Sequence, residues 1–205
     1  MFQHPDSLQP VLNWLLAGLQ DPALASQAAT ALQNISSACR QHMADHFTGL
    51  LQIIEQIDQF HLKPEAANGL IKGVVMIISI MSRDQVAGAV EKVCLIQVQP
   101  LSAIMNTGAG SKIVKHSPSD PVLYLDRLSA VFRHVQPSNG CVAGPQPHPC
   151  RTTVESLWPV LSRALGLYQQ DVRVTERTCR TIRSVLHKCY IETTLPVKIV
   201  GHIDY

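Results

Sequence analysis

Residues 63–78 read KPEAANGLIKGVVMII, and this stretch decides the fold class. Proline suits the first position of a helix because its missing N–H would be unpaired there, so a helix is predicted to begin at Pro64. Apolar side chains then recur at three- and four-residue spacing: Ala67, Leu70, Ile71, Val74, Val75 and Ile78. This period is typical of an amphipathic α-helix with one buried face.

The same period recurs along most of the chain. It predicts seven further helices, at residues 8–19, 24–39, 47–60, 85–105, 121–134, 152–168 and 171–189. Three joints carry a proline at the start of a helix: Asp21-Pro22, Lys63-Pro64 and Asp120-Pro121. The first two prolines lie 42 residues apart. A repeat of about 40 residues with two helices per unit is typical of HEAT and armadillo arrays.

The sequence therefore predicts an all-α, HEAT/armadillo-like α-solenoid of about four helical hairpins; the alternative is a helical bundle without repeats. The repeat segment is predicted to cover residues 1–189, followed by a divergent C-terminal tail at 190–205. Its four hairpins are predicted at about 7–40, 44–81, 84–134 and 152–189. The connections 106–120 and 137–150 are rich in Gly, Pro and Ser, which predicts exposed loops.

Composition excludes several classes of protein. Hydrophobic residues make up 46% of the chain and charged residues 16%, a balance that excludes a disordered chain. The most apolar stretch, residues 73–81, is too short to cross a bilayer, and no signal peptide is recognisable at the N-terminus. We therefore expect no membrane contact, and a reducing cytosolic or nuclear compartment for the cysteines.

Possible catalytic and metal motifs are incomplete. His42 and His46 have helical metal-ligand spacing, but Met43 stands where a zinc protease needs glutamate. Four residues around one loop match no known zinc spacing: His134, Cys141, His148 and Cys150. Residues 108–112 lack the length and the final Ser or Thr of a phosphate loop. We therefore expect no catalytic residues, no metal, no cofactor and no enzymatic activity.

The helix at residues 171–189 carries the strongest functional pattern. At about 100° per residue, its basic side chains share a sector of about 120°. These residues, which we call the arginine face, are Arg173, Arg177, Arg180, Arg183 and His187. Only Asp171 and Glu176 are expected to offset them. Cys39, Cys179 and Cys189 are expected on the apolar faces of helical patterns.

Four arginines on one face favour an anionic ligand, because a guanidinium binds phosphate through two parallel hydrogen bonds. The alternatives are a basic helix that is merely solvated, and binding to nucleic acid. No aromatic residues lie between the arginines to stack bases, so direct contact with nucleic acid is not expected.

Several segments identify a family. The sequence resembles the transportin-SR family, nuclear import receptors of the importin-β superfamily that carry serine/arginine-rich (SR) splicing factors. The resemblance lies in residues 31–51, 64–73, 125–134, 148–150, 158–162 and the helix 171–189. It runs almost continuously from about Ser7 to Cys189.

The resemblance implies a function in protein import, with shuttling between cytoplasm and nucleus. In the family, the arginine-rich helix contacts the phosphorylated RS domain of cargo. Here Arg173, Arg177, Arg180 and Arg183 match family arginines, while His187, followed by Lys188, replaces one. Ran GTPase and nucleoporins are implied partners of the full-length receptor, whose Ran-binding repeats are expected N-terminal to this segment. The alternative is a structural HEAT-repeat scaffold that binds no phosphorylated cargo.

Overall fold

The computed structural model describes residues 8–107, 113–115, 117–136 and 148–190, without the side chains of 188–190. Within these ranges the chain forms helices and no strand, which confirms the predicted all-α class. The described helices are α1 (Leu8–Gln20), α2 (Ala25–Ala38), α3 (Arg40–Ala44), α4 (Phe47–Glu55), α5 (Pro64–Ile78), α6 (Arg83–Asn106), α7 (Pro121–His134), α8 (Arg151–Leu167) and α9 (Val172–Tyr190).

The helices pack in two layers, as in a HEAT/TPR-like solenoid. One layer is a row in which α2 contacts α5, α5 contacts α7 and α7 contacts α9. In the other layer α4 contacts α6, and α6 contacts α8. Contacts between the layers join α1 with α2, α4 with α5, α6 with α7, and α8 with α9. The second helix of each hairpin therefore packs against the second helix of the next hairpin. This arrangement positions the arginine face of α9 beside α7.

Side chains at the helix starts explain where several elements begin. The Asp120 carboxylate accepts a hydrogen bond from the Val122 amide at 3.1 Å, and Pro121 occupies the first helical position of α7. Ser82 and Gln85 form a capping box at the start of α6. Asp171 accepts from the Arg173 amide at 2.9 Å, which fixes the start of α9. Each cap satisfies backbone donors that have no partner inside the helix.

Two predicted helices have different bounds in the structure. The third was expected to run to Phe60, but α4 ends at Glu55, and residues 56–60 form turns that still bury Ile57 and Phe60. The sequence period continues because these side chains reach the same core from a turn. Asp21-Pro22 lies in a turn before α2, which begins at Ala25.

Residues 108–112 and 116 of the first predicted loop and 137–147 of the second lie outside the described residues, as does the predicted tail from residue 191 onward. In the part of the chain that is described, no helix has the length and hydropathy needed to cross a membrane.

Candidate anion-binding surface

Small residues dominate the face of α9 that packs on α7. Four residues are fully buried there and form a line along the helix, which we call the buried line: Val174, Thr178, Thr181 and Val185. The Thr181 hydroxyl donates a hydrogen bond to the Leu125 carbonyl of α7 at 2.9 Å, and the Ser184 and Ser129 hydroxyls lie 3.1 Å apart. These hydrogen bonds hold the two helices close together, so the longer side chains beside them on α9 also lie against α7.

Arg173 and Arg177 flank this buried line and form ion pairs with α7 and its cap. A guanidinium nitrogen of Arg173 lies 3.2 Å from Oδ2 of Asp120, whose side chain is 2% exposed. The corresponding distance from Arg177 to Oδ1 of Asp126 is 3.4 Å. The arginine face is therefore divided: one edge is tied to α7, and the other side faces solvent.

The solvent-facing side holds Arg180, Arg183 and His187. Arg180 pairs with Glu176 one turn earlier, at 2.7 Å. Arg183 and His187 are exposed, and within the described ranges no carboxylate forms an ion pair with Arg183. Lys188 lies in the last turn of α9, and its side chain falls outside the description.

The expectation that only residues of the helix itself offset the arginines is wrong. Asp120 and Asp126 neutralise part of the charge from the neighbouring element, about fifty residues earlier in the chain. Cys179, expected on an apolar face, is exposed on α9. Cys179 lies outside the buried line, in which Thr178 and Thr181 hold the neighbouring buried positions.

A cleft of about 340 Å³ opens beside the paired arginines. Its walls come from four helices of one layer, α2, α5, α7 and α9. Four cationic side chains line it, Lys72, Arg133, Arg177 and Arg180, against two carboxylates, Glu65 and Asp126. Sequence analysis missed Lys72 and Arg133, because neither belongs to a basic run. The contact between second helices of neighbouring hairpins is the signal that predicts their proximity.

Asp126 lies at the centre of these charges. Burial raises the pKa of its carboxyl above the usual value, although Arg177, Arg180 and Arg133 each act to lower it. Burial is thus the larger effect, and the ionised carboxylate is held at a net cost despite three nearby guanidinium groups. Guanidinium groups from α7 and α9 therefore surround the partly desolvated carboxylate of Asp126.

His148 and Cys150, considered as zinc ligands, are both buried. Nδ1 of His148 accepts a hydrogen bond from the Cys150 amide at 3.2 Å. Cys141, the third member of that set, lies outside the described residues.

Two family models match the chain in the same order as in their own family. The Transportin-3/Importin-13 third TPR domain matches residues 1–53, and the fourth TPR domain matches residues 148–195. A curated relative, Transportin MOS14 of Arabidopsis thaliana, is 22% identical over 181 residues, which cover 86% of this chain. These matches support similarity to a segment of a transportin-type receptor of the importin-β superfamily.

The chain spans 18% of the length of the MOS14 relative. The match to the fourth domain contains the whole of α9 and extends to residue 195. The arginine face therefore lies in a part of the chain where the similarity to the family is explicit. The families named in these matches are transport receptors.

Proposed function

We propose that this chain is the cargo-contacting segment of a nuclear import receptor, and that its arginine face binds phosphorylated RS segments. The observation that carries the proposal is the convergence of Arg177 and Arg180 of α9 with Lys72 and Arg133 on one open cleft. Each phosphoserine carries a charge of about −1.5 to −2 and three acceptor oxygens, which suits several guanidinium groups at once.

The existing ion pairs do not oppose this function strongly. The side chains of Arg173, Arg177 and Arg180 are 30–36% exposed. Ion pairs that water reaches contribute only about 0–1 kcal/mol, so a phosphate can replace the carboxylate partners of Arg177 and Arg180 at small cost. Arg183, exposed and without a carboxylate partner in the described part of the chain, is available to a second phosphate.

The proposal implies partners and a location. The ligands are phosphorylated serine/arginine-rich proteins, and the receptor shuttles between cytoplasm and nucleus. Ran GTPase and nucleoporins contact other repeats of the full-length receptor. Neither a membrane nor a nucleic acid is a direct partner.

A second function, a helical scaffold without phosphorylated cargo, is favoured by one observation. Three of the four arginines already have carboxylate partners, and two of these pairs fasten α9 to α7 or its cap. In a scaffold, such pairs would serve packing alone.

Calorimetric titration of the chain with an RS-repeat peptide distinguishes the two functions. A cargo-binding surface binds the phosphorylated peptide at least about tenfold more tightly than the unphosphorylated one, and the difference shrinks with added salt. Equal affinities, or no binding of either peptide, would support the scaffold.

A further inference from the structure

Asp126 places a carboxylate in the cleft that is proposed to bind the ligand phosphate. Its carboxylate lies 3.4 Å from Arg177 on the neighbouring helix. It also interacts electrostatically with Arg180 of α9 and Arg133 of its own helix. The three guanidinium groups, with Lys72 of α5, line the same cleft as the carboxylate. Three helices therefore contribute cations to a cleft that also holds the carboxylates of Asp126 and Glu65.

Within the described residues, no carboxylate forms an ion pair with Arg133, which interacts with Asp126 only at longer range. It is exposed on α7, and its described hydrogen bond goes to the Ser129 hydroxyl at 3.4 Å, a weak contact. Asp126 and Arg133 lie seven residues apart, which places them two turns apart on one face of the helix. That face of α7 points into the cleft beside Arg177 and Arg180.

We propose that Asp126 is an internal competitor for the ligand phosphate, and that Arg133 belongs to the phosphate site together with Arg177 and Arg180. The inference rests on the proposed function and extends it to selectivity. A ligand anion must displace the Asp126 carboxylate from Arg177 before it can bind.

The competition weakens the binding of carboxylate and phosphate ligands alike, but a phosphate regains more from the surrounding cations. A carboxylate on the ligand carries one charge and two oxygens, so replacing Asp126 with it gains nothing in charge. A phosphate brings up to twice the charge and a third oxygen, and it can contact Arg133 and Arg180 simultaneously. Asp126 therefore suppresses the binding of Asp/Glu-rich segments while phosphorylated segments still bind.

The test compares Asp126→Asn with the unchanged chain. Asparagine keeps the size of the side chain and removes its charge. Glu155→Gln is the matched control, because it also removes one negative charge but lies on α8, paired with Arg151. Two peptides are titrated: a phosphorylated RS repeat, and the same repeat with glutamate in place of each phosphoserine.

We expect Asp126→Asn to bind both peptides about tenfold more tightly than the control variant does, and this gain should bring the glutamate peptide into the measurable range. Arg133→Gln should weaken binding of the phosphorylated peptide several-fold and leave the helical circular dichroism unchanged.

The outcomes separate this inference from the proposed function. If the unchanged chain prefers the phosphorylated peptide but Asp126→Asn binds neither peptide more tightly than Glu155→Gln does, the internal competitor is overturned and the proposed function stands. If only Asp126→Asn binds, the competitor is supported and the proposed function of the unchanged chain is overturned. If neither binds, both are overturned. Unchanged affinity in a folded Arg133→Gln variant removes Arg133 from the site.

Discussion

Oδ1 of Asp58 lies 2.7 Å from a guanidinium nitrogen of Arg127, and this ion pair joins the turn after α4 to α7. The Arg127 side chain is 3% exposed and that of Asp58 33%. A second guanidinium nitrogen of Arg127 donates to Gln97 of α6 at 3.4 Å, and the group lies over the Tyr124 ring at 5.5 Å. A buried charge is thus compensated by one partly exposed carboxylate from the other layer.

Asp58→Ala should destabilise the chain by about 3 kcal/mol, because removing one partner leaves the buried Arg127 charge uncompensated. The midpoint of urea denaturation, followed by circular dichroism, measures the change. Glu155→Ala is the control: it breaks the exposed pair with Arg151 and should cost less than about 0.5 kcal/mol. Equal losses in the two variants would show that Arg127 does not depend on Asp58.

The close approach of α2 and α5 depends on Gly73. A Cβ atom there would lie 3.1 Å from the Cα of Gln33 and 3.2 Å from the Cβ of Ser36. Gly73→Ala should therefore destabilise the chain by about 1–2 kcal/mol, since the backbone of α2 must shift. Gly88→Ala, in α6, meets nothing within 4 Å and should stabilise it by about 0.5–1 kcal/mol. A gain in stability from both substitutions would contradict the packing of α2 on α5.

Tyr124 makes stability depend on pH in the alkaline range. Burial, and secondly the Asp58 carboxylate, raise the pKa of its phenol to about 12. The unfolded chain loses this proton near pH 10 and the folded chain retains it, so stability should fall as pH rises from about 10 to 12. The slope contributed by one such group reaches at most about 1.4 kcal/mol per pH unit.

Tyr124→Phe removes this contribution, whereas other groups titrate in both proteins. Urea denaturation at several values between pH 9 and 12 should give a steeper decline for the unchanged chain than for the variant. Parallel curves would mean that the phenol titrates normally in the folded state.

The helices were predictable because their apolar periods and their proline and aspartate starts are local features. The predicted fifth, sixth and last helices correspond closely to α6, α7 and α9. The end of α4 was not predictable, since Ile57 and Phe60 are buried from a turn and keep the helical period. Local sequence reports which side chains are buried, but not always by which backbone conformation.

The candidate site was predictable in part for a related reason. The four arginines share a face of one helix, which the sequence alone indicates. Their partners Asp120 and Asp126 come from an element about fifty residues earlier, so only the packing of α7 against α9 reveals them. Lys72 and Arg133 join the cleft through the same tertiary contacts. Charge balance on a helix in a solenoid depends on the neighbouring repeat as much as on the helix itself.

The central claim, that the arginine face binds phosphorylated RS segments, is tested most directly by replacing Arg177 and Arg180 with Asp. Both side chains lie outside the buried line of α9, so the helical circular dichroism should be retained. The control replaces Lys92 and Arg151, which lie in the other layer, with Asp. It changes the net charge by the same amount as the double substitution at Arg177 and Arg180. It separates the local effect from general electrostatic attraction.

Titration of a phosphorylated RS peptide into each protein gives the deciding affinities. Hydrogen bonds to charged groups contribute about 1.5–3 kcal/mol, less where water screens them, and about 1.4 kcal/mol corresponds to a tenfold change. The double substitution at Arg177 and Arg180 should therefore weaken binding by one to several orders of magnitude, and the control by much less. Unchanged affinity in the folded variant, or equal losses in both, would contradict the account.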